Sequence, residues 1–160
     1  MENFENIYRE NYPKVFGMAR KMVNDGEVAN DIVQEVFVYY FEKWQNGLVV
    51  HYLSSWLMRV TINKCVDYLN QMKKYTPLSI VSEWEAEEET SDSTSDATLK
   101  QAIAKLKPVE VKLIMLYSEG YSYKEIARIT EINFSSVGKT LSRTLHKLKE
   151  ILKRLNYEMY

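Results

Sequence analysis

The sequence predicts an all-α chain folded as two small helical domains joined by an acidic flexible linker. Three observations predict it. Glycine and proline are scarce, with 5 and 3 copies in 160 residues. Long stretches carry apolar side chains at a helical period, and no run alternates with a period of two. From about Pro77 the pattern fails in an acidic, Ser/Thr-rich run, SEWEAEEETSDSTSDAT, that reads as a linker.

The elements follow in order. A first helix is expected from about Phe4 to Val23, with Phe4, Ile7, Tyr8, Val15, Met18, Ala19 and Met22 close to one face. Pro13 lies inside it and should kink it, because proline donates no hydrogen bond and crowds the preceding turn. Asn24-Asp25-Gly26 reads as stop and restart. A second helix runs from about Glu27 to Gln45 with Ile32, Val33, Val36, Phe37, Tyr40, Phe41 and Trp44 as its apolar set. Asn46-Gly47 ends it, and a loop continues through about Tyr52. A third helix spans about Leu53 to Lys73, with Trp56, Leu57, Val60, Cys65, Val66 and Leu69 inward. The resulting domains are residues 1–75 and 99–160, with a linker at 76–98. Both domains are near the small end for independent folding.

After the linker, Leu99 to Leu106 reads as a short helix, and Pro108 opens a helix to about Ser118. Ser122-Tyr123-Lys124-Glu125 matches a capping box before a helix from Tyr123 to Thr130. A turn from Glu131 to Phe134 leads to a final helix, capped by Ser135 or Ser136 and running to about Leu155. Val137, Leu141, Leu145, Leu148, Leu152 and Leu155 form its apolar stripe. Lys139, Arg143 and Lys147 each follow a member of that stripe by two residues, about 200° around a helix, so they form an opposite, basic stripe. A short helix, a tight turn and a helix with one buried and one basic face is the helix-turn-helix arrangement, which binds DNA. A plain helical hairpin with a solvated basic face is the alternative. Two positions depart from the usual pattern. Glu131 stands where a turn commonly needs glycine, and Gly138 stands where a base-reading side chain is expected.

Charge is unevenly divided although the net charge is only −1. Residues 1–80 carry nine basic and nine acidic side chains, and residues 81–98 carry seven acidic ones and no basic ones. Residues 99–160 carry twelve basic and six acidic side chains, so the C-terminal module suits a polyanion. Other classes fit poorly. No stretch approaches the roughly 20 apolar residues of a membrane span. The N-terminal MENFENIYRE lacks the apolar core of a secretory signal. A single cysteine, Cys65, excludes an internal disulfide, and with two histidines leaves too little for the usual zinc sites, so no metal is expected. A cytoplasmic setting is the default. Cys65 has apolar helix neighbours and reads as a structural thiol. His51, His146 and Cys65 are scattered, and no glycine-rich phosphate loop appears, so no catalytic residue or cofactor is expected.

Three strings carry a resemblance: NDGEVANDIVQEVFVYYFEKW, YLSSWLMRVTINKCVDYLNQMKK and YSYKEIARITEINFSSVGKTLSRTLHKLK. Together they resemble the sigma-70 family of bacterial transcription initiation factors, and more narrowly its extracytoplasmic-function (ECF) group, which keeps only regions 2 and 4. The resemblance covers about residues 4–75 and 97–152. It implies a region 2-like three-helix domain and a region 4-like helix-turn-helix domain. It also implies a protein that binds core RNA polymerase, recognises promoter DNA and helps open it. Asp31-Ile32-Val33-Gln34-Glu35-Val36-Phe37 is similar to the family's polymerase-binding motif. Asp31, Gln34, Glu35, Phe37 and Glu42 would dock on the clamp helices of the largest subunit, and the second domain would meet the polymerase flap. A solvated acidic face is the alternative reading of Asp31 and Glu35, which share a helix face.

By the same resemblance His51, Tyr52, Ser54, Ser55, Trp56, Arg59, Asn63 and Lys64 would meet the −10 element as it opens, through stacking and polar pockets. Trp56 reads more as core than as a stacking platform. The basic run that family members often carry after the third helix is thinned here to Asn70-Gln71-Met72-Lys73-Lys74. Ser122, Ser135, Ser136, Lys139, Thr140, Arg143 and Lys147 would meet the −35 element. In the family the linker threads the polymerase channel, where seven carboxylates would suit basic walls; a solvated spacer is the alternative. An anti-sigma partner is plausible by resemblance. A stand-alone helix-turn-helix regulator and a helical adaptor that recruits polymerase for another DNA-bound protein remain as alternative functions.

Overall fold

Capping residues set the boundaries of the first helices. In the computed structural model, which describes residues 3–75 and 93–158, the Asn3 side chain accepts from the Asn6 N–H at 2.8 Å and starts α1, Phe4–Val23. Asn24 ends it in the left-handed region, at φ 54°, a conformation asparagine tolerates better than most residues. Asp25 then accepts from the N–H groups of Glu27 and Val28 and opens α2, Gly26–Gln45. The third helix, α3, is Leu53–Tyr75. Beyond it lie α4 (Ser93–Ala104), α5 (Pro108–Ser118), α6 (Tyr123–Thr130) and α7 (Phe134–Glu158). The described residues contain seven helices and no strand.

Five boundaries differ from the sequence expectation by more than a residue. The third helix runs two residues further than expected. The fourth starts at Ser93 rather than near Leu99, so Ser93–Thr98, the end of the expected linker, is helical, and it stops at Ala104 rather than Leu106. The last helix opens at Phe134 and runs to Glu158, so Ser135 and Ser136 lie inside its first turn rather than capping it. Of the linker expected at 76–98, residues 76–92 fall outside the described residues.

Two compact units result. The first is Met1–Gln71 with Arg128–Glu131, and the second is Met72–Ala127 with Ile132–Tyr160. In the first, α1 and α2 pack along each other, and Val15, Ala19, Val33, Val36, Phe37, Leu57, Ile62 and Cys65 are all buried. Phe37 meets the edge of Phe4 with centroids 6.4 Å apart and approaches Tyr8 at 4.7 Å. Burying such rings is the largest local source of hydrophobic stabilisation, on the order of 2–3 kcal/mol each. The buried polar group Asn11 is satisfied twice: its Nδ2 donates to the Ile7 carbonyl at 2.8 Å, and its Oδ1 accepts from Ser54 Oγ at 2.7 Å.

The second unit is built on α7, against which α4 and α5 pack. Ala102, Leu106, Leu113, Leu116, Ile126, Val137, Leu141, Thr144 and Leu148 are all buried in it. The α7 stripe therefore differs in one place from the expected one. Leu145 is 37% exposed, and Thr144, 1% exposed, takes the inward position. The spacing 137, 141, 144, 148 follows the 3.6-residue turn more closely than a strict step of four. Thr144 fits an apolar core because its hydroxyl donates to the Thr140 carbonyl at 2.8 Å.

Candidate polymerase and nucleic-acid interfaces

The acidic face expected for polymerase lies on α2. Asp31 and Glu42 are exposed, and the Glu35 side chain is 69% exposed, so these carboxylates can reach a partner. Phe37 cannot, and its expected place at the contact is corrected here. It is 2% exposed, because it shares the inward side of α2 with Val33, Val36 and Tyr40. Gln34 is half-buried, and its Nε2 donates to the Tyr8 hydroxyl at 2.9 Å and to Asn30 Oδ1 at 3.4 Å. The Tyr12 hydroxyl donates to the same Asn30 oxygen at 2.8 Å. Gln34 thus ties α2 to an aromatic row on α1, in which Tyr8 stacks on Tyr12 at 5.2 Å and Tyr12 on Phe16 at 5.5 Å.

Sequence reasoning missed the apolar part of this surface. Val38 and Tyr39 are 57% and 43% exposed on α2, and Val49 in the following loop is exposed too. Tyr39 lies parallel to Trp56 at 5.9 Å, and Lys43 Nζ stands 5.4 Å from the Tyr39 ring centre. The signal was present in VFVYYF at 36–41: apolar residues all around a helix exceed what one core can bury.

The residues expected at the −10 element fall into two groups. His51, Tyr52 and Asn63 are exposed. Ser54 is exposed as well, but it and the remaining residues are engaged with neighbouring side chains or partly buried. Ser55 and Arg59 are half-buried. Trp56 is also half-buried, wedged against Tyr39 and Tyr40, which agrees with a mainly structural ring. Ser54 spends its hydroxyl proton on Asn11. Lys64 Nζ lies 3.4 Å from Glu35 Oε2, joining a residue of the DNA set to one of the polymerase set. Burial pushes the Cys65 thiol up to about 12, so it stays protonated and unreactive, as a structural cysteine does.

On the second unit Ser135, Ser136, Lys139 and Arg143 are exposed along α7, and Thr140 is half-buried. Lys147 is turned aside: its Nζ contacts Glu110 Oε1 of α5 at 2.8 Å. Glu110 also accepts from the Lys107 N–H at 2.8 Å, at the start of α5. Burial acts to raise the Glu110 pKa, but the Lys147 ammonium and the Lys107 N–H outweigh it, and the carboxyl sits below its usual value. The capping box at Ser122 forms in a modified way. Glu125 N–H donates to Ser122 Oγ at 3.1 Å as expected, while the hydroxyl itself donates to Glu125 Oε1 at 3.0 Å. Ser122 therefore has no proton left for a phosphate. Glu131 has φ 63°, so the turn does adopt the left-handed backbone that glycine usually supplies.

Among the described residues no group of histidine, cysteine and carboxylate side chains could hold a metal ion, and no helix is long and apolar enough to cross a membrane.

Residues 7–75 match the family Sigma-70 region 2, and residues 96–148 match Sigma-70, region 4. The chain is 23% identical over 155 residues to the ECF RNA polymerase sigma factor SigM of Mycobacterium tuberculosis, covering 96% of this chain and 79% of that one. It is 24% identical over 161 residues to the RNA polymerase sigma factor CarQ of Myxococcus xanthus, covering 98% and 92%. Among solved structures it shares its fold with the sigma factor RpoE of Bartonella quintana, determined in complex with the anti-sigma factor NepR. The TM-score is 0.61, the identity 19%, and the coverage 96% of this chain and 98% of that one. With both regions matched in order along one chain, and with ECF sigma factors as its relatives, the chain belongs to the sigma-70 family and to its ECF group.

Proposed function

We propose that this ECF sigma factor acts by dividing its contacts between two modules. Residues 1–75 bind core RNA polymerase and handle the −10 element, residues 99–160 handle the −35 element, and residues 76–98 connect them. Asp31, Glu35 and Glu42 supply the charged part of the polymerase contact, with Gln34 held in place beside them by Tyr8. His51, Tyr52 and Asn63 meet the opening strand, over a base formed by Ser54, Ser55, Trp56, Arg59 and Lys64. Ser135, Ser136, Lys139, Thr140 and Arg143 face the −35 duplex, and Lys147 joins them only by leaving Glu110. The partners are the clamp helices and flap of polymerase, promoter DNA, and an anti-sigma protein of the kind seen with the Bartonella relative. The chain makes and breaks no bonds itself and works in the cytoplasm. The observation that carries the reading is the pairing, in one chain, of an exposed acidic face on α2 with an exposed basic face on α7.

The test is recovery of polymerase from a lysate of the source cells on the tagged chain, beside the variant Asp31→Lys with Glu35→Lys. The native chain should retain polymerase subunits and the variant should lose them. Absence of polymerase from both, with no inhibitor co-purifying, would move the chain to a stand-alone regulator.

A further inference from the structure

Of the exposed carboxylates on the proposed polymerase face, Glu35 alone is in an ion pair. Asp31 and Glu42 form none among the described residues, whereas Glu35 Oε2 lies 3.4 Å from Lys64 Nζ. That ammonium comes from another helix, α3, where it follows the exposed Asn63 in the set proposed to meet the opening strand. A single ion pair therefore joins the two surfaces that the first unit uses in succession.

The pair is loose. It is longer than the roughly 2.7–2.9 Å of a tight charge-assisted bond, and the Glu35 and Lys64 side chains are 69% and 37% exposed. The Lys147–Glu110 pair of the second unit differs on both counts, at 2.8 Å with a carboxylate only 15% exposed. Lysine also carries its charge on a flexible stem, so the ammonium changes partners by rotamer changes alone, with no movement of α3. A cation of polymerase that approaches Glu35 meets the Lys64 ammonium already beside it. Like charges within about 4–6 Å of one another are disfavoured, so docking favours the rotamers that carry Lys64 away from Glu35. A phosphate oxygen then becomes its best available partner.

We propose that Glu35 and Lys64 form an exchange switch. In the free chain Glu35 holds Lys64 back from DNA; docking on polymerase takes over Glu35 and releases Lys64 to a phosphate of the opening strand. Glu35 is thus a positioning residue for Lys64 as well as a contact in its own right. Linkage makes the effect reciprocal: polymerase strengthens the Lys64 contact with DNA, and DNA strengthens the Glu35 contact with polymerase by the same factor. The inference rests on the proposed polymerase and −10 roles of the first unit.

The experiment uses the complete chain and reads two affinities. Lys64→Gln should bind core RNA polymerase about threefold more tightly than the native chain, the size of an exposed ion pair, because the competitor for Glu35 is gone. The Lys64→Gln holoenzyme should bind about threefold more weakly to a duplex that the native holoenzyme selects from a random-sequence pool. Lys64→Arg keeps the charge and should restore both values. Without polymerase, Glu35→Gln should tighten binding of the chain to a labelled single-stranded oligonucleotide, and this gain should vanish in the Lys64→Gln background.

A Lys64→Gln chain that binds core polymerase no more tightly than the native one would overturn the proposal. So would a Glu35→Gln gain of equal size in both backgrounds, which would reflect only the loss of a negative charge. Failure of Lys64→Arg to restore the native values would assign the effects to packing and overturn the exchange. Failure of the native chain to bind core polymerase at all would instead overturn the sigma mechanism on which the switch rests. Thermal unfolding of each variant, followed by circular dichroism, separates a weaker contact from a folding loss, and a gain in affinity cannot come from a folding loss.

Discussion

Glu110 shows how a single side chain can join two roles. It closes the first turn of α5 through the Lys107 N–H and reaches across to Lys147 on α7. Its pKa lies below the usual 4.5 because these contacts favour the charged form more than burial disfavours it. The stability it contributes is therefore present above the unfolded pKa and lost as the pH falls through the lower folded value. Glu110→Gln should cost about 0.5 kcal/mol at pH 7, since Lys147 is 40% exposed and such pairs are screened. The cost should fall towards zero as the pH drops through that lowered value. Chemical denaturation of the two proteins over a descending pH series checks this, and a pH-independent difference would assign the effect to packing. The same variant frees Lys147, so it separates the stabilising use of that ammonium from any use on DNA.

At the scale of the element, α7 repays attention because its inward face was only partly legible. Proline, glycine and asparagine punctuate this chain clearly, and α1, α5 and α6 begin and end where the sequence alone puts them. The first turns of α4 were not legible, because Ser93–Thr98 has no apolar period and its composition resembles a linker. On α7 a leucine at 145 looked more core-like than a threonine at 144. Helix geometry nevertheless turns Thr144 inward, and its hydroxyl is satisfied within the helix. Leu141→Ala, at a site 1% exposed, should therefore cost about 3 kcal/mol. Leu145→Ala should cost less than about 1 kcal/mol, as surface changes do. Equilibrium unfolding in urea gives both values, and equal costs would contradict the observed face. The site shows the same limit. The exposed carboxylates of α2 could be read from their spacing, but the burial of Phe37 and the tie between Gln34 and Tyr8 depend on how α1 lies against α2.

The whole molecule holds opposite charges in different segments, a +6 stretch at 99–160 and a −7 stretch at 81–98, with a net charge of −1. A chain with this balance gains little from long-range attraction to DNA, because a polyanion meets both signs. Part of each proposed DNA-binding set is already paired. Lys64 and Lys147 are paired with Glu35 and Glu110, leaving Lys139 and Arg143 as the exposed basic residues in the proposed −35 set. Neutralising so few phosphates gives weak binding with a shallow salt dependence. In the proposed mechanism polymerase changes this, because once the acidic α2 face docks, each later DNA contact would become intramolecular and act at a raised effective concentration. The holoenzyme should therefore bind its promoter duplex at least ~100-fold more tightly than the free chain does. Fluorescence anisotropy of a labelled duplex, titrated with the chain alone, with core polymerase alone and with both, measures the difference. Comparable affinity for the chain alone would mean that the helix-turn-helix unit suffices, and the protein would then be a regulator that needs no polymerase to find its site.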